Sequence, residues 1–341
     1  MTKPLLRVLA GEAVWPPPLW LMRQAGRYLP EYRALRAQAG DFIALCTTPT
    51  LAAEVTLQPV RRFGLDAAIL FSDILMLPWA LGHGLQFKEG EGPVLPRLTT
   101  MAEVQALNPA RVPHAIAPIL ETVRLTKAGL AGDTPLIGFA GSPFTVACYM
   151  VEGGGSKEFA LIRGMAHAQP ALLDALIGVL VDATVAYVSG QIQAGADVAM
   201  LFDSWSGVLS PLLFRRLVIG PTRRIVEGLR ALHPGIPIIG FPRLAGVQVG
   251  AYAAGTGVDA VALDTGTDLR LATALVPAGV ATQGNLDPLA LVAGGPALAV
   301  ETASVLAAVR GRPHIFNLGH GIVPQTPPEH VAELVRLVRA A

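Results

Sequence analysis

Short apolar runs, each followed by a segment of helical spacing, recur along the chain and constrain its fold more than any other feature. The runs are Leu19–Met22, Ala67–Phe71, Leu136–Ala140, Val198–Phe202, Pro237–Phe241, Ala260–Leu263, Gly279–Gln283 and His314–Asn317. They are continuously apolar rather than alternating, which is typical of strands buried on both faces of a parallel sheet. Strand followed by helix, repeated in this way, predicts an α/β fold of the (β/α)8 TIM-barrel type. A doubly wound open sheet is the alternative.

The segments between the runs carry helix signals. Val331, Leu334, Val335 and Val338 follow the i, i+3, i+4, i+7 spacing of an amphipathic helix. Thr48-Pro49 predicts a helix start, with threonine as the N-cap and proline at the first helical position. No charge block or low-complexity linker divides the chain, so we expect a single domain over residues 1–341.

Composition narrows the class of protein. Lys and Arg number 26 against 25 Asp and Glu, and a net charge of +1 argues against a nucleic-acid-binding protein. The mean hydropathy of +0.49 raises the question of a membrane protein. The most apolar stretch, residues 171–196, is interrupted by Asp174 and Asp182, so it falls short of the roughly 18–20 unbroken apolar residues of a spanning helix. With two cysteines and no secretory pattern, we expect a soluble cytoplasmic protein.

Three segments share one pattern, in which Gly-x-Asp precedes an apolar run and a second aspartate follows it. The pairs are Asp66 and Asp73, Asp197 and Asp203, and Asp259 and Asp264. The second aspartate of each pair lies at the carboxyl end of its predicted strand, where barrel enzymes place their catalytic groups. The alternative is that these aspartates cap the following helices.

Arginines follow the first apolar run directly, in the sequence Arg-Gln-Ala-Gly-Arg at residues 23–27, and Arg36 comes soon after. The guanidinium group suits bidentate capture of carboxylate or phosphate, so this segment is a candidate anion-binding site. The alternative is a solvated ion pair between Arg27 and Glu31, which are four residues apart.

Three further residues are candidates for chemistry at the ends of predicted strands. Asp73 ends the sequence Phe-Ser-Asp, Tyr149 precedes the glycines at 153–155, and His320 lies between two glycines. The glycine run permits close backbone approach or a mobile lid. Each candidate also has a purely structural interpretation: a capped carboxylate, a packed tyrosine and a buried histidine.

The sequence offers no metal or phosphate-loop motif. His314, His320 and His330 lack the spacing of zinc ligands, and neither Cys46 nor Cys148 lies near a histidine in the sequence. Neither the Gly-Lys-Ser/Thr nor the Gly-x-Gly-x-x-Gly phosphate-binding pattern is present. We therefore expect no bound metal.

The stretch PLWLMRQAGRYLPEY at residues 18–32 resembles the signature of the uroporphyrinogen decarboxylase family. Other segments are similar to that family in the same order over nearly the whole chain. They are residues 65–75, 138–155, 202–204, 283–288 and 317–321. Two positions depart from the family pattern: Thr265, where tryptophan is common, and Pro242-Arg243, where a Gly-Lys type pair is common. We expect these departures to affect local loops more than function.

The resemblance implies a single distorted (β/α)8 barrel and a carboxy-lyase of porphyrin and haem biosynthesis. The implied reaction converts the four acetate side chains of uroporphyrinogen III to methyl groups, giving coproporphyrinogen III, without cofactor or metal. A homodimer with facing clefts is also implied. The implied catalytic residues are Asp73, Arg23, Tyr149 and His320. The implied substrate-binding residues are Arg23, Gln24, Ala25, Gly26, Arg27, Arg36, Asp73, Tyr149, Ser204 and His320.

Two other functions remain open at this point. A corrinoid-linked methyltransferase of related fold would need a His-x-Cys zinc cluster, which Cys46 and Cys148 do not supply. A non-catalytic tetrapyrrole carrier would keep the arginine segment but has no need for Asp73, Tyr149 and His320 together. A turnover assay with uroporphyrinogen separates the carrier from the enzyme.

Overall fold

The fold is built on a parallel sheet, shown by a computed structural model that describes residues 3–88 and 92–341. The strands in chain order are β1 (Ala68–Ile69), β2 (Gln86–Lys88), β3 (Gly92–Val94), β4 (Leu136–Gly141), β5 (Val198–Asp203), β6 (Ile238–Pro242), β7 (Ala260–Ala262), β8 (Ala281–Leu286) and β9 (His314–Leu318). The main sheet has the order β1-β4-β5-β6-β7-β8-β9, and every neighbouring pair in it is parallel. Strands β2 and β3 form a separate antiparallel pair.

Helices fill the connections between the strands of this curled sheet. They are α1 (Pro4–Leu9), α2 (Pro30–Ala39), α3 (Phe42–Thr47), α4 (Pro49–Phe63), α5 (Met76–Ala80), α6 (Met101–Ala106), α7 (Val112–Ala115), α8 (Ala117–Gly129), α9 (Pro143–Glu152), α10 (Ala160–Ala168), α11 (Pro170–Ala194), α12 (Pro211–Phe214), α13 (Gly220–Leu232), α14 (Gln248–Thr256), α15 (Leu269–Leu275), α16 (Pro288–Ala293), α17 (Gly295–Val309) and α18 (Pro328–Arg339). Strands and helices share one extensive buried apolar core.

Helix α11 contains the apolar stretch that raised the membrane question. Its length and composition satisfy the requirements for a spanning helix, but 56% of its most apolar window is buried inside the protein. Two aspartates interrupt the stretch. Asp174 pairs with Arg216 in the segment before α13, and Asp182 pairs with Arg224 on α13. The side chain of Gln191 accepts from the N–H and donates to the C=O of Phe139 in β4. These contacts are typical of a core helix.

Seven of the eight apolar runs are strands of the main sheet, as predicted. Strand β8 begins at Ala281 rather than at residue 279 and continues to Leu286, so its polar end was not recognised. The β2–β3 pair was not predicted, because short strands in a Gly- and Pro-rich stretch carry little apolar signal.

The first run is shorter than predicted: only Leu19 forms a parallel bridge, with Phe316 of β9. Beyond it, side chains replace the ladder partners of the backbone. The N–H of Leu21 donates to Gln24 Oε1, and the N–H of Met22 donates to Asn317 Oδ1. The chain turns away from the sheet here, and this turn produces the arginine segment.

The amino-terminal aspartates of the three Gly-x-Asp segments do not cap helices. Asp66 Oδ2 accepts from the N–H of Leu19, and Asp197 and Asp259 accept in the same way from Leu136 and Ile238, each at 2.8 Å. The N–H of each aspartate donates in return to the C=O of the same partner. Each carboxylate also pairs with a cation, the partners being Arg339 for Asp66, Lys3 and Lys127 for Asp197, and Arg230 for Asp259. The repeat is therefore a strand-pairing device.

The helix signals are largely confirmed. Helix α4 begins at Pro49 with Thr48 as its N-cap residue, but the Thr48 hydroxyl donates to the C=O of Ala44 instead of capping. Helix α18 buries the four residues of the predicted apolar stripe, Val331, Leu334, Val335 and Val338.

Candidate active site

The candidate site lies where the parallel strands end at their carboxyl side. Asp73 follows β1, Tyr149 lies on α9 after β4, Ser204 follows β5, and His320 follows β9. The arginine segment at residues 23–27 follows Leu19, the residue that bridges to β9. Because the sheet is parallel, these groups all lie at one edge of it.

Segment 23–27 is held by its own side chains. Gln24 is fully buried, with Oε1 accepting from the N–H of Leu21 and Nε2 donating to the C=O of Ala67. The Tyr28 hydroxyl donates to the C=O of Gln24 and closes the turn. The Gln24 side chain thus bonds within the fold, so a substrate-binding role for Gln24 would fall to its backbone. In the described part of the chain, the N–H groups of Ala25 and Gly26 have no acceptor, so the backbone here is available to an anion.

Arg23 has a left-handed backbone, with φ of +60°, which costs a non-glycine residue about 1–2 kcal/mol. Neighbouring hydrogen bonds maintain it: Met22 donates its N–H to Asn317 and accepts at its C=O from the N–H of Ile322. The aliphatic stem of Arg23 fills the space beside Gly321, where an added Cβ would lie 2.4 Å from Arg23 Cδ. The glycine after His320 therefore makes room for this arginine.

Asp73 is half-buried in the turn that follows β1. Its Oδ1 accepts from the N–H of Leu75 at 2.8 Å, while Oδ2 has no protein donor in the described residues. The hydroxyl of Thr56 on α4 accepts from the N–H of Phe71 and fixes the start of the turn. Burial raises the pKa of Asp73, whereas the Leu75 hydrogen bond and the positive charge of Arg23 lower it. Asp73 therefore presents one free carboxylate oxygen beside a cation.

Tyr149 and Trp205 lie on the α9 side of the site, with ring centroids 6.3 Å apart. Burial raises the pKa of Tyr149 and an interaction with the Trp205 side chain lowers it, while the charge of Asp73 raises it and that of Arg23 lowers it. Two of the glycines after Tyr149 are in contact with the rest of the chain: Gly153 ends α9 with φ of +81°, and Gly154 pairs with Val94 of β3, whereas Gly155 is exposed. This arrangement fits the close-approach interpretation of the glycine run.

His320 is a neutral imidazole at physiological pH. Burial, together with the charges of Arg243 and Arg23, lowers its pKa to about 4. A neutral imidazole can donate one hydrogen bond, but it carries no charge to attract a carboxylate. The charge of Arg23 thus lowers the pKa of Asp73, of Tyr149 and of His320.

Arg27, Arg36 and Ser204 are less closely joined to this group. Arg27 and Arg36 act electrostatically on Tyr32, and Arg36 donates to the C=O of Gly40 at 2.9 Å. Ser204 is half-buried and its hydroxyl has no partner in the described residues. Arg27 is exposed, so its guanidinium is free to reach a ligand.

Two residues at strand ends have surroundings that the sequence did not reveal. Arg243, expected to affect local loops more than function, follows β6, and its charge lowers the pKa of His320 while the charge of Arg23 lowers its own. The signal was its position directly after a predicted strand. Asp203, a candidate for the carboxyl edge, is fully buried and accepts from the Thr145 hydroxyl at 2.6 Å. It faces α9 because that helix packs directly against β5.

The fold is a parallel α/β sheet, and arginines lie at the same side of it as the carboxylate of Asp73. Such a site is typical of enzymes that act on anionic substrates. The family profile Uroporphyrinogen decarboxylase (URO-D) matches residues 1–341. Uroporphyrinogen decarboxylases from Granulibacter bethesdensis and Acidiphilium cryptum are 61% and 62% identical, over 99% of this chain and 99% and 94% of theirs. The chain belongs to the uroporphyrinogen decarboxylase family, carboxy-lyases that decarboxylate uroporphyrinogen in haem biosynthesis.

A solved structure supports the fold. A methyltransferase from Methanosarcina mazei superposes with a TM-score of 0.75, at 20% identity, over 98% of this chain and 97% of its own. At that identity the likeness concerns architecture alone. Across residues 3–88 and 92–341, no group of three or more His, Cys, Asp or Glu side chains is arranged to hold a metal ion.

Proposed function

We propose that this chain converts all four acetate side chains of uroporphyrinogen III to methyl groups, giving coproporphyrinogen III, without a cofactor. The proposed catalytic residues are Asp73, Arg23, Tyr149 and His320, with Ser204 and segment 23–27 binding substrate. The observation that carries the proposal is Asp73 after β1, whose Oδ2 has no protein donor in the described residues and whose carboxyl pKa is lowered by the charge of Arg23. The alternative of a non-catalytic carrier gives no reason for this arrangement.

The substrate supplies its own electron sink. A proton adds to a pyrrole ring carbon beside the acetate arm and gives a cationic, iminium-like ring. The bond from the arm to its carboxylate then breaks, and its electron pair neutralises the ring as CO2 leaves and an exocyclic methylene forms. A second proton adds to the methylene carbon, and the ring releases the first. Each arm thus consumes one proton and releases one CO2, and the pyrrole fills the role that a cofactor usually has.

Asp73 is the proposed electrostatic centre of this reaction. As an anion it accepts hydrogen bonds from the pyrrole N–H groups through Oδ2 and stabilises the positive ring that forms on protonation. Fixed opposite charge in a desolvated site is the strongest means of stabilising such a transition state. Substrate N–H groups and Arg23 together oppose the effect of burial and favour the ionised form of Asp73.

The peripheral carboxylates of the substrate require cations and N–H donors. Arg23, Arg27 and Arg36 are the proposed carboxylate partners, with the unpaired N–H groups of Ala25 and Gly26 beside them. Tyr149 and Ser204 are proposed as positioning groups. The high pKa of Tyr149 and the low pKa of His320 make each a weak source of protons in the empty site, which favours binding roles for both.

The proposed architecture is one domain over residues 1–341, a distorted eight-stranded barrel closed by the Leu19 segment. Support comes from hydrogen bonds on both sides of Leu19. Phe316 of β9 donates its N–H to Pro18 and accepts from Trp20, while Asp66 binds Leu19 on the β1 side. The N–H of Leu19 donates to Asp66 in the same way that Leu136 donates to Asp197 and Ile238 donates to Asp259. Leu136 and Ile238 begin strands of the sheet, which supports a strand position for the Leu19 segment.

The proposed assembly is a cytoplasmic homodimer with facing clefts. Leu212, Leu244 and Val247, on segments that follow β5 and β6, have exposed fractions of 70%, 51% and 71%. Contiguous exposed apolar surface is typical of an interaction site, and these side chains are the proposed centre of one. Cys46 and Cys148 are free and buried, as is typical of proteins in a reducing compartment.

Anaerobic turnover of uroporphyrinogen III tests the function. We expect four CO2 released per substrate molecule and coproporphyrinogen III as the product, with undiminished rate after treatment with a metal chelator. Binding of the substrate without loss of carboxylates would show a carrier and contradict the proposal. A rate that falls to zero on chelation and returns with zinc would contradict the cofactor-independent mechanism.

A further inference from the structure

Arg243 is held rigidly at the carboxyl end of β6 by the loops on either side. Its N–H donates to the C=O of Asp203, and its C=O accepts from the Ser206 hydroxyl and the N–H of Gly207. The following residue, Leu244, has φ of +62° and donates its N–H to Asp264 at 2.7 Å. Backbone contacts to the loops after both β5 and β7 therefore fix the direction in which the Arg243 side chain leaves the sheet.

The guanidinium of Arg243 has no anionic partner. Its Cζ lies 5.9 Å from the centre of the Trp205 ring, and its Nε is buried without an acceptor. Within the described chain no carboxylate lies at ion-pair distance from it, and both oxygens of the nearby Asp264 are occupied by the N–H groups of Leu244 and Gly266. Burial lowers the pKa of Arg243, the charge of Asp264 opposes this, and the charge of Arg23 lowers it further. A half-buried cation that faces a second cation is unfavourable until an anion joins it.

A second unpaired donor lies beside Arg243. The Nε1 of Trp205 is buried and has no acceptor at hydrogen-bond distance in the described residues, and only a longer interaction links it to the Tyr149 hydroxyl. The indole ring is fixed by Phe159, at 4.7 Å between ring centroids, and its backbone N–H donates to the Thr145 hydroxyl. Two N–H donors of different side chains, both rigidly held and both unsatisfied, are the arrangement that a carboxylate completes.

We propose that Arg243 and Trp205 form a separate carboxylate-binding subsite, which takes one peripheral carboxylate of the tetrapyrrole on the β5–β6 side of the site. Neutral His320 forms the adjoining wall. Asp73 follows β1 and Arg243 follows β6, and β4 and β5 lie between these strands in the sheet, so this subsite lies on another side of the site from Asp73. The subsite therefore contributes to substrate binding and orientation rather than to the bond-breaking step. This inference rests on the proposed function.

Steady-state kinetics with uroporphyrinogen III test the subsite in Arg243→Gln, Arg243→Lys and Trp205→Phe. We expect KM to rise about 10- to 100-fold in Arg243→Gln, because a charge-assisted hydrogen bond is lost, with kcat changed much less. Arg243→Lys restores part of the loss, since it keeps the charge without the bidentate fork. Trp205→Phe raises KM while keeping the aromatic packing. Arg224→Gln, which removes an exposed guanidinium on α13, is the matched control and leaves KM unchanged.

A second measurement separates binding from structural support. The indole N–H resonance of Trp205, assigned by its loss in Trp205→Phe, shifts downfield when coproporphyrinogen III is added under anaerobic conditions. Two results would contradict the proposed subsite. One is a KM of Arg243→Gln within twofold of the wild-type value, and the other is an indole resonance that does not shift when the product is added. If Arg243→Gln fails to fold, unchanged KM in both Arg243→Lys and Trp205→Phe overturns it equally. Wild-type turnover is the baseline throughout, so failure of the subsite is distinct from failure of the proposed function.

Discussion

At the scale of single residues, the aspartates that follow β1 and end β5 differ in their surroundings. Asp73 keeps one oxygen open beside Arg23, whereas Asp203 is enclosed between β5 and α9 with Oδ2 unpaired. Burial raises the pKa of Asp203 to about 7, against the hydrogen bond from Thr145. The Thr145 hydroxyl donates to Asp203 and accepts from the N–H of Trp205. Asp203 therefore affects the site indirectly, by helping to position the loop after β5.

Asp203→Asn tests this enclosed carboxyl. Wild-type Asp203 stays protonated up to pH 7 when folded but ionises near pH 3.9 when unfolded, so wild type loses stability as pH rises between these values. The asparagine cannot ionise. Relative to wild type, the free energy of unfolding of Asp203→Asn should therefore rise by about 1.4 kcal/mol per pH unit from pH 5 to pH 7 and then level off. Urea unfolding at several pH values measures this; a difference independent of pH would contradict it.

At the scale of elements, three aspartates satisfy backbone N–H groups at the amino-terminal side of the strands. They are Asp66, Asp197 and Asp259. The carboxylate accepts from the first N–H of a neighbouring strand segment that has no ladder partner, and a cation neutralises it. A buried N–H without an acceptor costs about 1–3 kcal/mol, which explains why the same device occurs three times.

Asp197→Ala removes this device at β4. The N–H of Leu136 loses its acceptor and the ammonium groups of Lys3 and Lys127 lose their counter-ion, so we expect a loss of about 2–3 kcal/mol in unfolding free energy. Asp182→Ala is the matched control, since its ion pair with Arg224 is exposed, and it should change stability by less than about 0.5 kcal/mol. Chemical denaturation measures both variants. Equal losses in the two would show that Asp197 is only a surface charge.

The sequence was most informative where burial dictates composition. Strands buried on both faces must be apolar throughout, so seven strands of the sheet were predictable, as was the buried stripe of α18. The Leu19 segment was predicted as a full strand because its residues are equally apolar. Side chains of Gln24 and Asn317 replace its ladder bonds, and a partner as distant along the chain as Asn317 has no signature in local sequence.

The candidate site was predictable only in part, for a similar reason. Asp73, Tyr149 and His320 were identified by their positions after apolar runs, together with a long motif that resembles a family signature. Arg243 carries the same positional signal but lacks a motif. Its proposed role depends on the lack of a carboxylate at ion-pair distance among the described residues, and that is a property of the folded chain.

At the scale of the whole molecule, the exposed apolar residues near the site favour a pair of chains. A dimer of this 35.6 kDa chain should sediment at about 71 kDa, twice the chain mass. Val247→Asp should raise the Kd of the dimer by about tenfold or more, because it places a charge in the interface. Val300→Asp alters a valine of similar exposure, 68% against 71%, on α17 and should leave the mass unchanged. Sedimentation equilibrium distinguishes these cases; monomeric wild type, or equal behaviour of both variants, would contradict the assembly.

The central claim is that the negative charge of Asp73 stabilises the positive pyrrole ring during decarboxylation. The kcat of Asp73→Asn for uroporphyrinogen III tests it most directly, since asparagine can still accept from the N–H of Leu75 and leaves the turn intact. We expect kcat to fall roughly 10²- to 10³-fold while thermal unfolding stays close to that of wild type, with exposed Asp182→Asn unchanged in rate. A correctly folded Asp73→Asn that keeps the wild-type kcat would contradict this account.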